Sequence, residues 1–205
     1  MRFVRSFIGA VVSCAVVNAY ADYNEPVRSL REMRQTNVVV QKWDTSCGAA
    51  ALATVLTYQH GQDAKEKTVA EAMLQRGDPL KVKVRGGFSL LDMKRYVDSL
   101  GLEGVGYMQL SLEDLLENAP AIVPVEVRGY PHFVVVRGRS GDKVLLADPA
   151  FGNRTVDVQA FQRSWQGNIG FVVQRRDGKT PPNRLTFEPT DTLRPPDAAI
   201  RSSLQ

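Results

Sequence analysis

Cys47 stands where a protein could activate its thiol. It follows the polar run 41–46 and directly precedes the alanine-rich segment 48–58, which predicts a helix. Apolar residues around most of that helix indicate that it lies buried in the core. A thiol at a helix N-terminus lies beside free backbone N–H groups and the positive end of the helix dipole, which stabilise the thiolate. Thr45 and Ser46 are predicted to cap this helix. The sequence therefore identifies Cys47 as a candidate nucleophile.

A second stretch, 131–150, places a histidine and a carboxylate where they could meet. Two apolar runs separated by Arg-Ser-Gly at 139–141 predict a β-hairpin. A three-residue loop that ends in a left-handed glycine would set His132 directly opposite Asp148. A two-residue turn would instead put the two side chains on opposite faces of the sheet. The hypothesis that they meet therefore requires an odd-numbered loop or a bulge.

Together these residues could form a Cys-His-Asp triad. His132 would complete a thiolate–imidazolium pair with Cys47, and Asp148 would hold the imidazole ring from its other nitrogen. Gln41, six residues before the cysteine, is predicted to end a strand. Its side-chain amide could then donate to a developing oxyanion beside the backbone N–H of Cys47. These four residues are the predicted catalytic site.

The sequence contains little that indicates another kind of site. His60 follows the buried helix, where a cation would complement the helix dipole, so it is interpreted as structural. Two histidines and one cysteine outside the N-terminal apolar run make a structural zinc site improbable, although carboxylates could complete a catalytic one. No metal and no cofactor are predicted. The glycine pair at 86–87 is typical of a turn and not of a phosphate loop. The formal net charge is +4, but the charges are scattered, so we expect no nucleic-acid partner.

The elements that must position these residues predict an α+β fold. Helix starts are indicated by capping-box-like S-x-x-D patterns at 89–92 and 111–114. Because helices come first and strands follow, we expect an antiparallel sheet packed on a helical half. The predicted helices cover residues 48–58, 68–76, 90–100 and 158–165, and the predicted strands cover residues 37–42, 121–127, 133–137, 144–147 and 170–174.

Both ends of the chain are predicted to lie outside this domain. Arg2 and Arg5 precede the apolar run 7–17 and an A-x-A site at 19–21, the pattern of a secretory signal peptide over residues 1–21. We therefore expect a periplasmic protein with no stable membrane insertion. The alternative is a lipoprotein, because residues 11–14 resemble a lipobox that ends in Cys14. Residues 22–36 are predicted to be a flexible lead-in, 37–176 one domain, and 177–205 a Pro-rich, extended or disordered tail with little to bury.

These residues resemble the bacteriocin-processing cysteine peptidases, which have a papain-like fold and cut after double-glycine leaders. The matching residues are Gln41 and Cys47 in Q-x-x-x-x-x-C-G-A-A-A-L, His132 in P-H-F-V-V-V and Asp148 in L-A-D-P-A-F-G. The resemblance extends over roughly residues 38–173. Members fused to transporters often have Asp directly before the cysteine, where this chain has Ser46. Since no transporter domain is present, the chain is similar to the stand-alone exported members, one group of which accompanies functional-amyloid secretion systems.

The resemblance implies an exported cysteine peptidase that hydrolyses peptide bonds of a secreted protein or leader peptide. Other components of a secretion system are the expected further partners. Two alternatives belong to other classes: a papain-like module that binds peptides without cutting them, and an accessory protein that uses the Pro-rich tail as a tether. The presence of all three triad residues favours the peptidase. Acyl transfer to an acceptor other than water stays open, because the same triad serves both reactions.

Overall fold

Helices fill the first half of the domain and strands most of the second. The computed structural model describes residues 29–179 and 183–186, so the predicted signal peptide and Cys14 lie outside the described residues. None of the helices within the described ranges is long and apolar enough to cross a membrane. The helices are α1 Leu30–Gln35, α2 Cys47–Tyr58, α3 Glu66–Arg76, α4 Pro79–Arg85, α5 Leu90–Ser99, α6 Leu112–Glu117 and α7 Val158–Ser164. The strands are β1 Leu102–Tyr107, β2 Ala121–Val127, β3 Tyr130–Ser140, β4 Lys143–Asp148, β5 Gly152–Asp157 and β6 Gly170–Arg175.

The six strands of the described residues form one antiparallel sheet in the order β1-β6-β2-β3-β4-β5. Residues of β3 alternate between its two faces: Val135 packs with α2, α3 and α5, whereas Val134 and Val136 pack with α6 and α7. Both faces are therefore buried, which explains why β3 has a continuous run of valines. The predicted α+β fold, with an antiparallel sheet on a helical half, is confirmed.

Helix α2 is central because small residues let its neighbours approach closely. Every residue from Gly48 to Leu56 is buried. A Cβ atom at Gly48 would lie only 2.7 Å from Cε of Met93 on α5 and 3.4 Å from Cδ2 of Phe133 on β3. The first turn of α2, which begins with Cys47, is thus held against the strand that carries His132.

The segment 37–42 is not the strand that its β-branched residues predict. It runs alongside the core, but its backbone N–H groups find partners outside a β-ladder. The Val39 N–H donates to Oγ1 of Thr54 on α2 at 2.9 Å, and the Gln41 N–H donates to the carbonyl of Pro149 at 2.8 Å. The second of these bonds ties Gln41 to the residue that follows Asp148.

Three further differences concern elements that the sequence analysis missed or misassigned. The predicted lead-in contains helix α1, which begins with a capping box between Ser29 and Glu32 and packs on β5. Helix α4 has the usual start and stop residues, with Asp78 at the N-cap, proline at the first position and a left-handed glycine at the C-cap. Strands β1 and β5 are rich in glycine and polar residues, which masked their alternation.

The hairpin of β3 and β4 brings His132 and Asp148 onto one face, as predicted, but by the bulge and not by the loop. The predicted direct opposition of the two residues is wrong, because Val135 pairs with Ala147 and His132 therefore lies two positions beyond the residue opposite Asp148. Ser140 pairs with Lys143 across a two-residue turn, so the three-residue loop is wrong, although Gly141 has the expected positive φ of 58°. The register then shifts between Val136 and Gly138, which makes Arg137 the additional residue on β3. One extra residue returns the distant ends of the hairpin to a common face.

Part of the C-terminal tail packs on the core, contrary to the prediction that it has little to bury. Leu185 is fully buried in the cluster around α2. Its carbonyl accepts a hydrogen bond from Nε of Arg137 at 3.0 Å. The neighbouring Arg184 donates its backbone N–H to the carbonyl of Tyr58 at 2.9 Å and accepts from Nδ2 of Asn37 at 3.1 Å. A single leucine in a polar, proline-rich segment thus packs into the core at the C-terminal end of α2.

Candidate active site

Cys47 is the first residue of α2 and is half-buried. As a first-turn residue, it has a backbone N–H without an intrahelical acceptor. Ser46 occupies the N-cap position, as predicted, but its hydroxyl makes no capping bond to the first turn of α2. The first turn also contains no acidic residue. The positive end of the helix dipole is therefore left available to an anion beside the Cys47 sulfur.

His132 and Asp148 are hydrogen-bonded, with Nε2 and Oδ1 2.8 Å apart. The Asp148 side chain is fully buried, and that of His132 is 12% exposed. Oδ1 of Asp148 also accepts the backbone N–H of Ala150 at 2.9 Å, and Oδ2 accepts Nε of Arg154 at 2.7 Å. The bulge at Arg137 makes this arrangement possible, since without it the two-residue turn would separate the imidazole from the carboxylate.

The imidazole of His132 also interacts with Cys47, which is one of the two groups that raise its pKa. Because Nε2 faces Asp148, the ring nitrogen available to the sulfur is Nδ1. Burial lowers the pKa of His132, but hydrogen bonds and charge interactions with Asp148 and Cys47 outweigh it and raise the pKa to about 9. Burial raises the pKa of Asp148, but the contacts with His132, Ala150 and Arg154 bring it below its usual value. At neutral pH the site therefore holds a protonated imidazole beside an ionised carboxylate.

Gln41 lies next to this group on the extended segment before the cysteine. Its side-chain Nε2 donates to the carbonyl of Trp43 at 3.0 Å, which leaves the second N–H of the amide for another acceptor. Its Oε1 is buried and has no hydrogen-bond partner among the described residues. The structure thus places all four predicted residues in one region, with Gln41 joined to the Asp148 turn through Pro149.

Two residues in contact with this site were missed by the sequence analysis. Arg154 pairs with the second oxygen of Asp148 and lies over the ring of Phe151, 5.5 Å from its centroid. An arginine six residues after the aspartate, across a D-P-A-F-G turn, was the available signal. Glu66 on α3 accepts hydrogen bonds from the loop between Gln41 and Cys47. No sequence signal distinguished it, because a glutamate at a helix start ordinarily indicates only a favourable dipole interaction.

The remaining histidine does not belong to the site. His60 is buried, and its Nε2 bonds to the carbonyl of Val173 at 3.2 Å. Burial is the main cause that lowers its pKa, so the ring is neutral at pH 7. Its structural role fits the prediction, but the proposed reason, a cation at the helix dipole, is wrong. Within residues 29–179 and 183–186, no group of three or more His, Cys, Asp or Glu side chains could hold a metal ion.

Comparison with known proteins gives one consistent family. A model of the peptidase C39 family matches residues 35–177. A protein of Pseudomonas aeruginosa named "Probable functional amyloid protease FapD" is 42% identical over 167 residues, which cover 78% of this chain and 73% of that protein. Its namesake from Pseudomonas fluorescens is 41% identical over 165 residues, covering 80% of this chain and 71% of that protein.

Two solved structures are similar to the fold. A double glycine motif protease from an AMS/PCAT transporter, solved with its leader peptide, has a TM-score of 0.52 and 26% identity, and the match covers 67% of this chain and 90% of that one. The peptidase domain of Streptococcus ComA has a TM-score of 0.56 and 20% identity, covering 68% of this chain and 98% of that one. The second similarity concerns the fold alone, which is papain-like.

Proposed function

This chain belongs to the peptidase C39 family and is a cysteine peptidase, and we propose that Cys47 is its nucleophile, His132 its general acid and base, and Asp148 the residue that orients the histidine. The observation that supports these roles is the hydrogen bond between His132 and Asp148, with Cys47 interacting with the same imidazole from the N-terminus of a buried helix. A thiolate next to an imidazolium is the reactive form of such a nucleophile.

In the proposed reaction, Sγ of Cys47 attacks the scissile carbonyl carbon and the carbonyl oxygen becomes an oxyanion. The free amide N–H of Gln41 and the backbone N–H of Cys47 stabilise that charge. Collapse of the intermediate breaks the C–N bond, and His132 gives its proton to the departing amine. A water molecule, deprotonated by His132, then hydrolyses the thioester and restores the thiolate. Asp148 keeps the ring in place throughout.

We further propose that the substrate is a secreted protein or leader peptide of a functional-amyloid system. Two observations support this choice: the relatives from both Pseudomonas species are named functional amyloid proteases, and a related double glycine motif protease was solved with a leader peptide. The protein would meet that substrate in the periplasm, after removal of residues 1–21. Terminal sequencing of the exported protein should give Asp22 as the first residue, and an acylated Cys14 would contradict this processing.

The test of the function uses the mature protein and exported proteins of its own host, including any amyloid subunit. New termini located by mass spectrometry should arise with the wild type and be absent with Cys47→Ala. Product masses also separate hydrolysis, which leaves a free carboxylate, from transfer to another amine. If both proteins bind a peptide equally and neither cuts it, the protein is a non-cleaving accessory module. If Cys47→Ala produces the same termini as the wild type, Cys47 is not the nucleophile.

A further inference from the structure

The loop between Gln41 and Cys47 is held at both ends by one carboxylate from another helix. Glu66, the first residue of α3, is only 5% exposed. Its Oε1 accepts the backbone N–H of Lys42 at 2.8 Å and the hydroxyl of Ser46 at 2.5 Å. Lys42 directly follows Gln41, and Ser46 directly precedes Cys47. A single side chain therefore spans the segment that joins the proposed oxyanion donor to the proposed nucleophile.

The carbonyl of Trp43 connects this contact to Gln41. It accepts Nε2 of Gln41 at 3.0 Å and the Ser46 backbone N–H at 3.3 Å. It also lies 2.7 Å from the Ser46 hydroxyl, whose single proton is shared between this carbonyl and Oε1 of Glu66. A carbonyl oxygen can only accept, so it must face the nitrogen and not the oxygen of the Gln41 amide. The position of this one carbonyl thus decides which way the amide points.

Burial strengthens the hydrogen bonds among Glu66, Ser46 and the Trp43 carbonyl, and it also makes the loss of any one of them more costly. Ser46 is 3% exposed, whereas the Trp43 side chain is 47% exposed, so the loop is anchored by its backbone and by Ser46 and not by the indole ring. A buried carboxylate costs free energy unless its oxygens are hydrogen-bonded. In a low-dielectric environment, loss of one member affects the others. A hydrophobic residue at position 66 would fill the same space without the free-energy cost of burying a carboxylate. We therefore attribute the role of the carboxylate to its hydrogen bonds with the loop.

We propose that Ser46 and Glu66 are positioning residues of the oxyanion hole, which act through the Trp43 carbonyl to orient the amide of Gln41. This inference rests on the proposed role of Gln41. Neither residue needs to touch the substrate. Their contribution is to keep one amide N–H engaged so that the other is directed in a fixed orientation before the substrate binds, which is the preorganisation that oxyanion stabilisation requires.

The experiment compares two reactions of Cys47 that differ in whether an oxyanion forms. Acylation by p-nitrophenyl acetate passes through a tetrahedral oxyanion, whereas alkylation by iodoacetamide displaces iodide and does not. Gln41→Ala should slow acylation by about 10²- to 10³-fold. Ser46→Ala should slow it by about 10- to 100-fold, since a displacement of about 1 Å at a reacting group has effects of that size. Alkylation should change less than about twofold in both variants, because the thiolate is untouched.

A double-mutant cycle separates this role from a general effect on the fold. If Ser46 acts through Gln41, Ser46→Ala should slow acylation by less than about twofold in the Gln41→Ala background. Glu66→Ala should behave like Ser46→Ala, and Glu66→Gln should restore part of the rate because its carbonyl can still accept. Ser99→Ala is the matched control, since Ser99 likewise donates its hydroxyl to a carbonyl at 2.7 Å but lies at the end of α5. It should leave both reactions unchanged.

Each other outcome contradicts a specific part of the proposal. Equal slowing by Ser46→Ala with and without Gln41 would show that Ser46 acts independently and would overturn the inference, as would equal loss of alkylation and acylation. No effect of Gln41→Ala on acylation would instead remove the oxyanion role of Gln41, and the inference with it. Ester hydrolysis that persists in Cys47→Ala would refute the proposed nucleophile. If Glu66→Ala does not fold, Ser46→Ala still decides the question.

Discussion

The charge on His132 sets the pH range over which this site can work. Its ring lies between the carboxylate of Asp148 and the thiol of Cys47, and both stabilise the protonated form. The pKa is raised from 6.5 to about 9. The imidazolium is therefore present at neutral pH and is lost only as the pH rises through about 9. Without that proton the leaving amine cannot be protonated.

Peptidase activity should accordingly fall on the alkaline side with a midpoint near pH 9. A pH profile of kcat/KM on a cleaved peptide reports this value for the free enzyme. Alkylation of Cys47 by iodoacetamide is the control: it should not fall over the same range, because displacement of iodide needs no proton from the imidazolium. If the alkaline fall in kcat/KM, here called the basic limb of the pH profile, had its midpoint near pH 7, Asp148 and Cys47 would not raise the pKa of His132 in this way.

Arg154 is a positioning residue that acts on His132 through Asp148. Nε of Arg154 is 2.7 Å from Oδ2 of Asp148, on the oxygen that does not face the histidine. Arg154→Met should lower kcat/KM by about tenfold or more, because the carboxylate loses the contact that fixes its plane. It should also move the basic limb to higher pH, since a positive charge near the imidazolium is removed.

The pH shift distinguishes this role from a merely structural one. Arg154→Lys keeps the charge and should hold the limb near its original position while recovering part of the activity. Arg76→Met is a matched control, because Arg76 also lies over an aromatic ring, that of Tyr96 at 5.6 Å, far from the triad in sequence. A loss of activity in Arg154→Met with an unmoved limb would mean that the arginine contributes only packing.

At the scale of elements, the contact between α1 and β5 supports the strand that carries Arg154. Gly152, the first residue of β5, has a φ of 80°, and a Cβ atom there would lie 2.4 Å from the carbonyl oxygen of Arg34 on α1. Both the left-handed conformation and the close approach require glycine. The Asn153 side chain adds a hydrogen bond to the carbonyl of Thr36. Helix α1 is therefore packed against the active-site turn.

Gly152→Ala should destabilise the protein by about 1 to 3 kcal/mol, because alanine is strained in this left-handed conformation and its Cβ would displace α1. For a chain of this size, that change lowers Tm by roughly 2 to 12 °C, as thermal unfolding followed by circular dichroism would show. The control is Gly106→Ala on β1, where nothing lies within 4 Å of the added carbon. Equal Tm values for the two variants would mean that α1 does not constrain β5.

At the scale of the whole molecule, the C-terminal segment completes the hydrophobic core. Leu185 is fully buried among residues of α2 and the sheet, and its backbone is held by Arg137, the bulge residue of β3. The bulge thus has two effects: it brings His132 onto the face of Asp148, and its arginine anchors the tail. The packing of the C-terminal segment and the geometry of the active site therefore depend on the same β-bulge.

Leu185→Ala should lower the free energy of unfolding by about 2 to 5 kcal/mol, the usual range for a buried leucine. The matched control, Leu80→Ala, removes the same atoms from a side chain in α4 that is 69% exposed, and should change stability by less than about 0.5 kcal/mol. Urea unfolding measures both. Truncation after Lys179 should resemble Leu185→Ala. A truncated protein as stable as the full chain would show that residues 183–186 do not contribute to the core.

The amino-acid sequence alone determined the features that depend on neighbours along the chain. The capping boxes at Ser89 and Ser111, the buried helix after Cys47 and the strand at Ala121–Val127 follow from local periodicity and local hydrogen bonds. The requirement for a bulge or an odd loop also followed, because the two-residue alternation of a strand allows only those ways to bring His132 and Asp148 onto one face.

The tertiary structure alone decided which groups meet across the fold. The β-branched segment 37–42 is not a strand, because strand formation needs a partner strand and Thr54 and Pro149 satisfy its N–H groups instead. The contacts of Glu66 with Ser46 and of Leu185 with Arg137 join residues 20 and 48 positions apart. Local sequence does not encode such pairings, since hydrogen bonds and burial depend on distances in space that only the packed chain sets.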